Sequence, residues 1–247
     1  MALSTVDERP SALDHGKERF VKPRFLCLAG LAAFSTTTPV FADLLTSKID
    51  MNDGPGTGNG GAFQAVVTAG SIPGVGGVGS SALVFCVEIN EFMDFSGQFW
   101  VDVATSAMFG GAGGPTPDPL DHRTAALYMQ WLGLSQTDRT NLAEEYQMAI
   151  WALEEEIVHD DGQNRWEING VNVALHSAYV NMNESTIDNL IASVGNPTSI
   201  GNVRILRLWQ NQDGTGAKQD QVVLIPAPGA ALLAAIGLAG AWFKRRG

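Results

Sequence analysis

The segment that decides the fold covers residues 81–90 and reads Ser-Ala-Leu-Val-Phe-Cys-Val-Glu-Ile-Asn. Its pattern has a period of two, which is the period of a β-strand. Leu83 and Phe85 fall on one face of such a strand. Val84 and Cys86 fall on the other, so the segment predicts a strand with apolar groups on both faces and a thiol among them.

Further strand-like and helix-like segments surround this one. The predicted strands are residues 63–68, 99–103, 203–209 and 221–225, and the predicted helices are residues 122–132, 135–158, 174–179 and 186–194. Glycine-rich segments at 50–61, 70–80 and 110–119 indicate loops. Strands, then helices, then strands predict an α+β domain, a β-sandwich or barrel with an inserted helical section.

The helical section carries its own boundary signals. Asp121 is a good N-cap for the first helix, and Gly133 is a typical stop. Ser135 and Asp138 have the spacing of a capping box for the second. Apolar residues at helical intervals then predict that the second helix continues to about Val158.

The N-terminal residues predict a secretory signal peptide. Lys22 and Arg24 precede an apolar stretch at 25–34, and Val40-Phe41-Ala42 provides small residues at a cleavage position. Residues 1–42 are therefore interpreted as the signal peptide and residues 43–224 as an exported globular domain. Cys27 lies in the signal, so Cys86 is the only cysteine of the exported chain.

The C-terminal residues 225–247 predict a membrane tether. Residues 227–243 are nearly all apolar, and 17 residues of helix span about 25 Å, the lower limit for a bilayer. Pro226-Ala227-Pro228-Gly229 precedes this transmembrane helix and Lys244-Arg245-Arg246 follows it. By the positive-inside rule this basic stop is cytoplasmic, which leaves the domain outside.

This tail resembles the PEP-CTERM sorting signal of Gram-negative bacteria, with Pro-Ala-Pro-Gly in place of the commoner Pro-Glu-Pro. The resemblance covers residues 225–247. It implies export through the inner membrane, recognition by an exosortase-type membrane protease as a partner, and delivery to the cell surface or extracellular matrix after a membrane-tethered stage.

Charge restricts the partners of the exported domain. Residues 43–225 carry 7 basic and 22 acidic residues, hence a net charge of −15. Such a domain repels nucleic acid and anionic lipid, so no nucleic-acid partner is expected.

The predicted strand and long helix each contain a chemically notable motif. Phe85-Cys86-Val87 lies in the strand, and Gln147, Ile150 and Trp151 lie in the helix, with Gln147 and Trp151 on one helical face. This pair of motifs resembles the thioester domains of bacterial surface adhesins. The resemblance implies an internal thioester between Cys86 and Gln147, with Phe85, Ile150 and Trp151 as the supporting pocket.

Two function classes stay open. The first is covalent attachment through the thioester to a nucleophile on a surface protein or polysaccharide. The second is a non-reactive structural protein of the envelope or matrix, because a lone cysteine is often a small buried hydrophobe and a helical glutamine is often exposed. The thioester would be used once, so no enzyme activity is expected.

The remaining polar clusters indicate no catalytic site, cofactor or metal. His159-Asp160-Asp161 lacks the usual metal-ligand spacing and is interpreted as a surface turn. Glu154-Glu155-Glu156 is interpreted as a solvated helix face.

Overall fold

The computed structural model describes residues 44–56, 61–89, 97–112, 114–170, 173–177 and 179–226. The predicted signal peptide lies outside these residues, as does all of the predicted tail except Ile225 and Pro226. None of the helices in the described part of the chain has both the length and the hydrophobicity of a membrane-spanning segment.

The strands of the described residues, numbered along the chain, are short except for the six that form the central sheet. They are β1 (Ser47–Asp53), β2 (Phe63–Ala69), β3 (Ser71–Ile72), β4 (Gly76–Gly77), β5 (Ser81–Cys86), β6 (Gln98–Ala104), β7 (Ser106–Ala107), β8 (Asp118–Pro119), β9 (Ile157–Asp160), β10 (Arg165–Ile168), β11 (Val173–Ala174), β12 (Val203–Trp209) and β13 (Ala217–Leu224). The helices are α1 (His122–Leu132), α2 (Gln136–Asn141), α3 (Ala143–Leu153) and α4 (Glu184–Ser193).

Six strands close into a barrel in the order β1-β2-β5-β13-β12-β6. Every pairing in this barrel is antiparallel, including the β1–β6 pairing that closes it. Of the two predicted alternatives the structure is therefore the barrel. The helices, with a small sheet in the order β11-β10-β9, are inserted between β6 and β12.

The strand registers show which side chains face the barrel interior. Ile49 is paired with Val67 on one side and Phe99 on the other, and all three are buried. Directly opposite residues share a face, so these residues form the interior core. Cys86 is paired with Gln221, which is paired with Leu206, so this row faces the same interior.

The outer face of β5 and β13 is covered by α1. The Phe85 ring lies edge-on to Trp131, with 4.6 Å between the ring centroids, and 6.4 Å from Tyr128. The Tyr128 hydroxyl donates to the Leu83 carbonyl at 2.6 Å and accepts from the Leu224 N–H at 3.2 Å. Both faces of β5 are therefore buried, which explains its nearly continuous apolar sequence.

The predicted helix boundaries hold for α1 and fail for the longer helix. Asp121 caps α1 through the N–H of Arg123, and the Gly133 N–H bonds back to the last turn. The chain from Ser135 is instead divided into α2 and α3, and α3 ends at Leu153. Glu155 has a left-handed φ of 60°, which ends the helix, and Ile157–Asp160 becomes strand β9.

Helix periodicity was also misleading at residues 174–179. Val173–Ala174 is strand β11, paired with β10, and the Leu175 N–H continues that ladder by donating to the Trp166 carbonyl. Tyr179 follows in a turn. Pairing with an available strand overrides the local pattern.

The three consecutive glutamates do not form the predicted solvated face. Glu155 is exposed, whereas Glu154 and Glu156 are buried.

The Glu156 carboxylate accepts the N–H of Ile89 at 2.9 Å and the N–H of Ala112 at 3.0 and 3.1 Å. A Cβ on Gly111 would lie 1.6 Å from this carboxylate, so the loop needs glycine there. Glu156 thus ties the segment after β5 to the loop before α1.

We expect Glu156→Gln to lower the free energy of unfolding by about 1.5–3 kcal/mol, the range for hydrogen bonds to a charged group. An amide has one acceptor oxygen and cannot reproduce the contacts of both carboxylate oxygens. Urea unfolding followed by circular dichroism measures the change. Glu155→Gln is the matched control, and equal stabilities for the two variants would contradict this role.

Candidate functional site

Cys86 is the last residue of β5 and points into one end of the barrel. It is 3% exposed, and its register partner on β13 is Gln221. The Gln221 side-chain amide donates to the Cys86 Sγ at 3.5 Å and to the Gln219 carbonyl at 3.1 Å. The sulfur therefore has a polar neighbour inside an otherwise apolar interior.

Gln147 lies in the middle of α3 and is fully buried, unlike most helical glutamines. Its side-chain carbonyl Oε1 accepts from the Cys86 N–H at 3.1 Å, and its Nε2 donates to the Cys86 carbonyl at 2.8 Å. The carboxamide thus forms two hydrogen bonds with one residue. The structure brings together the two residues that the sequence paired.

The Cys86 backbone is available to Gln147 because the pairing of β2 with β5 stops two residues before Cys86. Phe63 begins β2 and pairs with Val84. On the other side of β5, the Val87 N–H donates to the Asp220 carbonyl of β13 at 3.0 Å. The Gln147 carboxamide takes the place of a further strand residue, which satisfies two backbone groups that would otherwise be buried without partners.

The same geometry is suited to acyl transfer. A backbone N–H on a carbonyl oxygen withdraws electron density from the carbonyl carbon and stabilises negative charge on that oxygen during attack. The N–H that does this belongs to Cys86 itself. In such a transfer Cys86 would supply both the attacking sulfur and the N–H that polarises the carbonyl.

Electrostatics keeps the sulfur protonated. Burial raises the pKa of the Cys86 thiol to about 12, and the hydrogen bond from Gln221 opposes this rise. The thiolate is the nucleophilic form of cysteine, so attack requires loss of the proton during the reaction. Near neutral pH the resting state is the thiol.

The helix residues of the predicted pocket surround this pair unevenly. Trp151 is buried one turn after Gln147 and lies edge-on to Tyr179, with 5.5 Å between the ring centroids. Ile150 is fully buried. Phe85 faces α1 on the opposite side of β5 from the sulfur, so it supports the strand from behind.

Two residues around the Cys86–Gln147 pair were missed from the sequence. Tyr179 lies edge-on to Trp151, and burial raises the pKa of its hydroxyl, with a smaller contribution from the charges of Glu144 and Cys86. Gln221 contacts the sulfur directly. Gln221 follows Gln219 and Asp220 in a polar part of β13, so no local pattern indicated it. Tyr179 gave no signal because it follows an unpredicted strand.

Two buried polar atoms near the Cys86–Gln147 pair lack a hydrogen-bond partner among the described residues. Within the described part of the chain, neither the Trp151 indole Nε1 nor the Gln221 Oε1 has a hydrogen-bond partner, and both are buried. One is a donor and the other an acceptor. Buried polar atoms without a hydrogen-bond partner are uncommon in folded proteins. Each of these two atoms could therefore form one more hydrogen bond.

The sorting motif and basic stop cannot be placed in the same way. Pro226 follows β13 and is described, whereas Ala227, Pro228, Gly229, Lys244, Arg245 and Arg246 lie outside the described residues. They remain predictions from the sequence.

Comparison with known proteins gives no assignment, because no family model, no curated protein and no solved structure matches this chain.

We expect the Cys86 thiol of a Gln147→Ala variant, which cannot form an acyl bond, to react slowly with iodoacetamide. Its raised pKa leaves little thiolate at pH 8, and burial blocks access. Alkylation in the folded state should be more than about 100-fold slower than in urea, where a cysteine pKa near 8.5 is restored. Mass spectrometry over time measures both rates, and similar rates would contradict the buried, protonated sulfur.

Proposed function

We propose that this chain is an exported, surface- or matrix-associated protein that attaches covalently to a nucleophile through an internal Cys86–Gln147 thioester. The observation that carries the proposal is the double hydrogen bond between the Gln147 carboxamide and the Cys86 backbone. It holds the amide carbon beside the residue whose sulfur would attack it.

Bond formation would balance as an acyl transfer. The Cys86 Sγ attacks the side-chain carbonyl carbon of Gln147, the carbon–sulfur bond forms and the carbon–nitrogen bond breaks. The thiol proton goes to the departing nitrogen, which leaves as ammonia. A raised thiol pKa fits this route, because the proton is transferred within the step and no stable thiolate is needed.

When a target is captured, the Cys86 sulfur would be the leaving group, whereas it is the nucleophile when the thioester forms. A lysine amine or a glycan hydroxyl attacks the same carbon, the carbon–sulfur bond breaks and the incoming group gives its proton to Cys86. The product is an amide or an ester on Gln147 and a free thiol. A thiol is a far better leaving group than an amide nitrogen, which is why the thioester is reactive and the glutamine is not.

Burial would protect the bond until a target arrives. Cys86, Gln147, Trp151 and Tyr179 are each less than a tenth exposed. Water reaches such a site poorly, so hydrolysis is slow.

The delivery half of the proposal depends on the chain ends. A cleaved signal, a Pro-Ala-Pro-Gly motif, a short apolar helix and a basic stop together support export and processing by an exosortase-type protease. The proposed thioester does not depend on how the protein is delivered.

Intact mass tests the thioester. We expect the full-length chain to weigh about 17 Da less than its sequence requires, because ammonia is lost when the acyl bond forms. Cys86→Ala and Gln147→Ala should both restore the plain sequence mass, apart from the substitution itself. Methylamine added to the wild type should be incorporated once, at Gln147, and should release a titratable thiol.

Ser193→Ala is a control that leaves both reacting residues intact, and it should keep the mass deficit. A wild-type mass equal to the plain sequence, with no methylamine incorporation, would overturn the thioester. It would favour the alternative, a non-reactive structural protein of the envelope or matrix.

Antibodies to two parts of the chain test delivery. We expect an antibody to the domain to detect protein at the surface or in the medium, and one to residues 230–247 to detect only a membrane-bound precursor. Replacing Lys244, Arg245 and Arg246 by serine should reduce processing, because the positive cluster fixes the orientation of the helix. Surface protein that still carries the tail would contradict cleavage.

A further inference from the structure

Three potential metal ligands converge in the inserted section. The His159 Nδ1 lies 3.0 Å from the Asp161 Oδ1 and 3.3 Å from the Glu184 Oε2. One ligand atom from each of these residues lies within 4.8 Å of the other two. The residues come from β9, from the turn after it and from the first residue of α4.

Each ligand is held by a neighbour that does not belong to the cluster. The His159 ring packs edge-on to Trp166, its register partner on β10, with 5.2 Å between the ring centroids. The Asp160 carboxylate accepts the N–H groups of Gly162 and Gln163, which fixes the turn that presents Asp161. Asn183 caps α4 and so fixes the start of the helix at Glu184.

The donor set favours a metal ion over a hydrogen bond alone. A single N–H on Nδ1 cannot give a full hydrogen bond to both carboxylates at once. A divalent ion between the three residues would contact all of them and would neutralise the two carboxylates. The domain's net charge of −15 favours cations in general, whereas imidazole selects zinc-like ions over calcium or magnesium.

We propose that His159, Asp161 and Glu184 form a binding site for a divalent transition metal of the zinc type. One nitrogen and two oxygens are ordinary zinc ligands, and three protein ligands leave a position for water or another small ligand. The ion would join the β9–β10 hairpin to the start of α4. The site is independent of the Cys86–Gln147 pair.

Sequence spacing could not have shown this site. Asp161 is close to His159 along the chain, but Glu184 belongs to another element, and the fold alone brings it near. The interpretation of residues 159–161 as a surface turn was right for Asp161 only, because His159 and Asp160 belong to strand β9 and pair with β10. It also did not include the third ligand.

Isothermal titration of the full-length chain with zinc chloride tests the proposal. The protein should carry a purification tag without histidines, and it should be treated with a chelator and dialysed first. We expect one zinc ion per chain and a raised melting temperature when zinc is present. Cobalt should give the visible absorption of a bound, low-symmetry ion.

Variants assign the ion to the three residues. Asp161→Asn, Glu184→Gln and His159→Ala should each weaken zinc binding by more than about tenfold, because even outer-shell partners of a metal have effects of this size. Asp161 is a safe choice for folding, since its side chain is 88% exposed. Asp188→Asn, an exposed carboxylate further along α4, is the matched control and should bind zinc like the wild type.

Two results would overturn the site. The first is the absence of saturable zinc binding by the wild type. The second is binding that Asp161→Asn and Glu184→Gln leave unchanged, which would place the ion elsewhere on this acidic chain.

Discussion

The paired hydrogen bonds between Gln147 and the backbone of Cys86 are the constraint on which the rest of the structure depends. They connect the middle of α3 to the end of β5 where β2 no longer reaches. Without them, two backbone groups of a buried strand would lose their partners, at a cost of about 1–3 kcal/mol for each unsatisfied group. The inserted helices are thus fixed to the barrel by a polar contact as well as by apolar packing.

Buried carboxylates also connect separate segments of the chain by accepting hydrogen bonds from backbone N–H groups. Glu156 holds the chain after β5 and the loop at Ala112, and Asp220 accepts the Met108 N–H at 2.7 Å and the Leu208 N–H at 3.3 Å beside a register shift in β12. Glu154 accepts the N–H of Asp121, and burial raises the pKa of Glu154 to about 8. This acidic domain, whose described residues contain a single cysteine, uses buried carboxylates as internal connectors.

The sequence predicted the parts whose signals are local. The strand at Val203–Trp209 and the helix at His122–Leu132 have clear periodicity and caps, and both occur with the predicted bounds. The predicted end of the long helix and the helix predicted at residues 174–179 were wrong, because tertiary hydrogen bonds determine the structure of both segments. The pairing of Cys86 with Gln147 came from a resemblance. Its physical basis, which is that β2 begins at Phe63 and pairs with β5 only as far as Val84, became clear only with the strand registers. Gln221, Tyr179 and the third ligand at Glu184 depend on contacts between distant segments, which no local pattern contains.

The position of β13 has a mechanical consequence. This strand lies between β5 and β12, and the chain leaves the barrel from its end at Leu224. Tension applied to the chain beyond Pro226 therefore pulls β13 along its own axis. Hydrogen bonds between strands lie across that axis, so the two ladders are loaded together in shear and do not open one bond at a time. Of the two strands that bear this load, β5 is the one that carries Cys86.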